Sequence, residues 1–232
     1  MIELIFVHIP RCGGTTFSIL LRSLYQDAIL GDSDDQPLDP ERPFQKNFAA
    51  WKKEQDQLPA PPGIRAIHGH FWAGKYDHQA PNATRVTWMR DPIKRLVSHY
   101  YFWKSIPEMP HTLHKLMHQR NLSLPEFAQL PQMQNVMRNV FLRDRSLENF
   151  AFVGIQEHFA DDLAWLERYM KWPKKKMPNY NRATHKDYQQ NGLDSETEKQ
   201  LRALNQADLE LYEAALQLRG RRAPPRLWFW KR

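Results

Sequence analysis

Cysteine is nearly missing from this chain of 232 residues: Cys12 stands alone, so no intramolecular disulfide can form, and the usage fits a reducing compartment. Long apolar runs are missing too. Nothing approaches the ~20 residues that a bilayer-spanning helix needs. The apolar stretch at residues 2–10 is short and has no basic leader, unlike a signal peptide. A cytoplasmic protein is expected, or a core excised from a lumenal one. Internal repeats and low-complexity segments are absent, and no Cys/His/carboxylate cluster falls at metal-ligand spacing, so no metal site is expected. Acidic residues are the minority, 26 against 33 Lys plus Arg, for a formal net charge of +7. That surplus favours anionic ligands without choosing among nucleotide phosphates, acidic polysaccharide, nucleic acid and membrane surface. Apolar residues are present in ordinary measure, 41% with 12% aromatic, enough to bury the core of one domain over residues 1–232.

Residues 3–8 (ELIFVH) form a β-branched and aromatic run expected as a buried strand. Cys12, Gly13 and Gly14 break it. From Thr15 onward Phe17, Leu20, Leu21 and Leu24 recur at the spacing of one helix face. Residues 31–63 carry Asp32, Asp34, Asp35 and a series of prolines, which predicts a surface insertion holding one helix at 48–55. Further strands are expected at 64–68, 84–89 and 150–155. Asp91-Pro92 starts a helix reaching about Trp103, since Asp caps a first turn and Pro suits its first position. Residues 105–149 read as helical segments interrupted by Pro107, Pro110, Pro125 and Pro131, and a helix follows at 159–170. Ser195 with Glu198 reads as a capping box, Gly220 as a helix stop, and Asn205 as a point of division between them. Strands alternating with helices predict an α/β fold with a mostly parallel central sheet flanked by helices.

Two motifs carry the chemistry. In residues 8–16 (HIPRCGGTT) the glycines lead from strand to helix N-terminus, where backbone N–H groups and the helix dipole form an anion site. Thr15 and Thr16 add hydroxyls and Arg11 adds fixed positive charge. A tight turn with incidental threonines is the plainer reading, and Arg11 before the glycines weighs against it. The loop lacks the GxxxxGK[ST] order, so a phosphotransferase using ATP loses its main support. In residues 90–101 (RDPIKRLVSHYY), Arg90 ends a strand, where open α/β sheets place ligands. Ser98 lies two turns into the following helix, so both can face one crevice beside the first loop. Taken alone, this motif reads equally well as a capped helix with a basic exposed face.

HIPRCGGTTF and RDPIKRLVSHYY together resemble the donor-binding motifs of the carbohydrate sulfotransferase superfamily, and within it the uronosyl and heparan sulfate 2-O-sulfotransferase branch. AIHGHF, FAFVGIQEHFADDLAWL, and NYNRATHK followed by ADLELYEAAL match more weakly, with 31–63 and 105–140 the loosest regions. The resemblance implies a P-loop-like three-layer fold. It also implies metal-free transfer of a sulfuryl group from 3′-phosphoadenosine 5′-phosphosulfate (PAPS) to an acceptor, leaving PAP. The implied contacts are Arg11, Cys12, Gly13, Gly14, Thr15 and Thr16 for the 5′-phosphosulfate, and Arg90 and Ser98 for the 3′-phosphate. The resemblance also implies that Arg182 and Thr184 belong to a segment that closes over the nucleotide. The family usually has Lys at the position of Arg11. Arginine stays protonated, so Arg11 is expected to stabilise leaving-group charge without donating a proton.

The acceptor's proton needs a base. His68-Gly69-His70 follows a strand, residues two apart share a side, and histidine titrates near neutral pH. The resembling branch has a matching HGH whose second histidine is the base, so His70 is expected as catalytic base and His68 as its orienting partner or a substrate contact. The same match implies a saccharide hydroxyl as acceptor, with residues 105–149 on the acceptor side and no nucleic-acid partner. His111, His114 and His118 share a helical face and read as solvated surface, as does the basic run 171–176. Two readings compete besides the phosphotransferase. A polyanion binder would leave the Arg90/Ser98 spacing unexplained, and a binding-only homologue would account for the departure at Arg11.

Overall fold

Short apolar runs become the strands of a five-stranded sheet in the computed structural model, which describes residues 1–173 and 192–222. The strands are β1 (Leu4–Val7), β2 (Ile29–Asp32), β3 (Ala66–Gly69), β4 (Thr84–Met89) and β5 (Phe152–Ile155). β1, β3 and β5 are buried at every position, the mark of a parallel sheet covered on both faces. All four pairings are parallel, in the order β2-β3-β1-β4-β5. The chain leaves β1 toward one edge and leaves β4 toward the other. Right-handed crossovers therefore put α1 (Gly14–Tyr25) and α4 (Pro92–Ser105) on opposite faces. Between the carboxyl ends of β1 and β4 lies the switch point where such sheets open a crevice.

The remaining helices are α2 (Pro43–Lys46), α3 (Phe48–Gln57), α5 (Thr112–Gln119), α6 (Leu124–Gln129), α7 (Phe159–Tyr169), α8 (Ser195–Leu204) and α9 (Gln206–Arg221), with one π-helical turn at Met137–Phe141. Phe17 of α1 packs edge-on against Phe6 and Trp88, and Gly154 exists because a Cβ there would lie 2.3 Å from the Trp88 ring.

Several local expectations change. Residues 31–63 were expected as a surface insertion, yet Gly31 and Asp32 complete β2, which pairs with β3, and Leu38, Phe44 and Trp51 beyond it enter the core. Pro125 begins a helix instead of interrupting one: it sits in the first turn of α6, behind a capping box of Ser123 and Glu126. The cap of α8 is Asp194, whose carboxylate accepts from the Thr197 N–H, not Ser195. Asn205 divides α8 from α9 as expected, but Gly220 does not stop α9, which runs to Arg221.

Candidate active site

The loop after β1 is shaped by two left-handed residues, Arg11 at φ 69° and Gly13 at φ 82°. Gly13 is the N-cap of α1; no side chain caps the first turn, and that turn contains no acidic residue. Its N–H groups thus remain disposed toward an anion. Gly14 has a different necessity: a Cβ there would fall 1.9 Å from His8 Cδ2, so this glycine makes room for a ring. Cys12 turns inward. Its Sγ lies 3.8 Å from the Pro10 carbonyl, its N–H donates to the Ile9 carbonyl, and burial pushes its thiol up to about 12. Thr15 is exposed at the start of α1, facing the cavity described below.

The two motifs meet. Arg11 Nε donates to Ser98 Oγ at 3.1 Å, and Arg90 Nη1 donates to the Arg11 carbonyl at 3.2 Å. Phe102, one turn beyond Ser98, places its ring 4.5 Å from the Arg11 guanidinium. Burial, and then the charge of Arg90, lower the basicity of Arg11. Among the described residues neither arginine has a carboxylate partner, and the buried Arg90 Nε has no hydrogen-bond partner at all. Two neighbouring guanidiniums beside an uncapped helix start concentrate positive potential at this point.

The plainer reading of this helix, a capped helix with a basic exposed face, fits Lys94 and fails at Arg95. Arg95 instead is fully buried, its guanidinium without a hydrogen bond among the described residues and with the Asp208 carboxylate as its main attractive charge. Asp208 is itself held by the N–H groups of Met137 and Arg138 at 3.0 and 2.7 Å. Its position directly before Leu96 and Val97 in the helix was the available signal.

Three histidines gather at the ends of β1 and β3. The rings of His8 and His70 have centroids 4.3 Å apart, and His70 Nδ1 lies 2.7 Å from the His8 carbonyl oxygen. A carbonyl can only accept, so His70 Nδ1 carries the proton and Nε2 keeps its lone pair. Burial lowers the basicity of His70, partly opposed by that carbonyl. His8 is driven well below its ordinary range by burial and then by His70. His68 falls to about 4 through burial, then Arg22, then His70. Its Nδ1 sits 3.1 Å from Ser18 Oγ on α1. The pair thus splits: His70 faces the site, and His68 backs onto α1.

A cavity of about 330 Å³ opens from this cluster, lined by Arg11, Thr15, His8 and His70 together with Leu38 and Phe141 among others; His68 does not line it. A wider groove of about 1020 Å³ between residues 138–148 and α9 contains none of the motif residues. Arg182 and Thr184 lie outside the described residues. The helical histidines differ from expectation: His114 is fully buried, and Nε2 of His114 and of His118 both lie on the Trp103 carbonyl, at 3.1 and 3.0 Å. They brace Trp103 instead of facing solvent.

The sequence profile described as the sulfotransferase family matches residues 2–214. A solved structure of mouse sulfotransferase SULT7A1 complexed with PAP aligns at 13% identity and a TM-score of 0.40, covering 75% of this chain and 60% of that one. This chain therefore spans less than two thirds of that protein's length. Among curated proteins none matches. The profile covers both sequence motifs and all five strands, and the chain belongs to the sulfotransferase family.

Proposed function

We propose that the chain transfers a sulfuryl group from PAPS to an acceptor hydroxyl by in-line displacement, with His70 as the base. The observation that carries this reading is the joining of Arg11, Ser98 and Arg90 at the switch point of the sheet, beside a cavity lined by His70. The N–H groups at the start of α1, Gly13, Gly14, Thr15 and Thr16 would hold the 5′-phosphosulfate, and Arg90 and Ser98 the 3′-phosphate. Ser98 Oγ accepts from Arg11, which leaves its O–H free to donate to a phosphate oxygen. Arg182 and Thr184 would close over the nucleotide. Cys12 supports the loop by packing, since its thiol and N–H are both engaged. PAPS supplies the activated sulfuryl group; the protein's work is positioning and charge stabilisation.

In this mechanism His70 Nε2 takes the acceptor proton as the acceptor oxygen bonds to sulfur. The bridging S–O bond breaks with its electron pair going to the PAP phosphate, whose growing charge Arg11 stabilises. The His8 carbonyl fixes the His70 tautomer, and His68 supports the cluster from behind. For the acceptor, the resemblance of residues 68–70 to the uronosyl 2-O branch favours a saccharide hydroxyl, whereas the cavity lining favours an apolar alcohol. His70→Ala is expected to abolish sulfate transfer while leaving PAP affinity within about twofold, measured by calorimetry. Retained transfer would remove His70 from the mechanism.

A further inference from the structure

The cavity is lined by two kinds of residue: the polar Arg11, Thr15 and His70, and an apolar wall of Pro37, Leu38, Trp103, Met109 and Phe141, the last with its ring 6.4 Å from that of His70. Leu38, Trp103 and Phe141 belong to the buried core, so this wall is firm. It is also braced from behind: Lys75 bridges Asp32 and Asp35 at 2.8 and 2.7 Å, and Asp39 accepts from the Thr112 N–H at 2.9 Å. These ties hold residues 33–38 against the start of α5.

Charge is scarce in the lining. No carboxylate and no lysine lines the cavity among the described residues, and its arginine, Arg11, is the one assigned above to the leaving phosphate. His99 and His111 also line it. Burial lowers the basicity of both, reinforced at His99 by Arg95 and Arg11 and opposed at His111 by Asp39, so neither offers a cation at neutral pH. A uronate or sulfate group placed against this wall would lose its water without gaining a partner, at a cost of several kcal/mol. Size points the same way. The volume of about 330 Å³ is near the lower end of small-molecule sites and roughly twice the ~150 Å³ in which an apolar cavity holds benzene.

We infer that the acceptor is an uncharged phenol or alcohol on a compact apolar body of one or two rings. Its hydroxyl meets His70 and its body lies on Leu38, Met109 and Phe141. The inference rests on the sulfuryl-transfer reading, and its test separates the two. PAP binding is measured first by calorimetry. Labelled sulfate transfer from PAPS is then measured onto 2-naphthol, a neutral alkyl glucoside of short chain, and a desulfated uronate-containing polysaccharide. The expected result is a kcat/KM for 2-naphthol at least a hundredfold above both sugars. Met109→Lys, on a half-buried loop position, should lower it more than tenfold through KM with PAP affinity unchanged, and Met109→Leu should restore it. PAP binding with transfer only to a sugar acceptor, or to none of the three, overturns the acceptor inference and leaves the donor site standing; so does an unchanged Met109→Lys. Failure to bind PAP overturns the sulfuryl-transfer reading and the inference together.

Discussion

Arg11 shows what one side chain does when the usual residue is replaced. A lysine there would reach as a flexible point charge; the guanidinium is instead fixed between Ser98 Oγ and the face of Phe102. Arg11→Ala is expected to lower kcat by about 10²-fold or more with a smaller effect on PAP affinity, because the charge it meets develops mainly in the transition state. Equal losses in both, read from steady-state kinetics and calorimetry, would assign it to donor binding alone. His70 makes the second prediction at this scale. Its folded value lies below the ordinary 6.5, so the neutral base persists to lower pH than a free imidazole would allow. The acidic limb of the kcat/KM profile assigned to it should therefore fall below pH 6.5, and a limb above 7 would contradict the assignment. The motif residues were readable because glycines, arginine and threonines at a strand-to-helix turn have few other uses. Arg95 and His114 were not, because burial of a polar side chain depends on neighbours far along the chain, Asp208 for one and the Trp103 carbonyl for the other.

At the scale of elements, strands and helices with strong periodicity could be read directly: β1, β4, β5 and α7 lie within the expected spans, and α1 (Gly14–Tyr25) and α4 (Pro92–Ser105) run slightly past theirs. β2 could not. ILGD has four residues, a glycine and an acidic end, and only its register against β3, with Gly31 opposite His68, makes it a strand. Helix ends failed where side-chain capping had near equivalents, Asp194 beside Ser195, or where a glycine met no steric demand, as at Gly220. Gly14 is the opposite case. Gly14→Ala forces the His8 ring to move, and with it the carbonyl that orients His70. A destabilisation of about 1–3 kcal/mol in urea titration is expected, together with loss of transfer. Normal activity at normal stability would show that the His8–His70 contact is dispensable. Asp208 ties α9 to residues 137–138, so Asp208→Ala should cost about 1–3 kcal/mol in urea titration as the Met137 and Arg138 N–H groups lose their acceptor.

For the whole molecule, fold and charge converge on one place. The chain's direction of travel across the sheet reverses between β1 and β4, and Arg11 and Arg90, joined to each other, stand at that reversal. No helix among the described residues is long and apolar enough to cross a membrane. The histidine cluster couples this place to stability. His8, His68 and His70 are all lowered from 6.5, so below that pH the unfolded chain binds more protons than the folded one. Their contribution is present above about 6.5 and is lost as pH falls through the folded values, about 4 for His68. The urea midpoint should decline across that interval, and a flat response would count against neutral packing of the three rings. The most direct test of the account is calorimetric titration with PAP of the unmodified chain and of Arg90→Ala and Ser98→Ala. The account predicts binding at one site, weakened about tenfold or more by each substitution as a charge-assisted hydrogen bond to phosphate is lost. Absence of PAP binding, or binding indifferent to both substitutions, would contradict it.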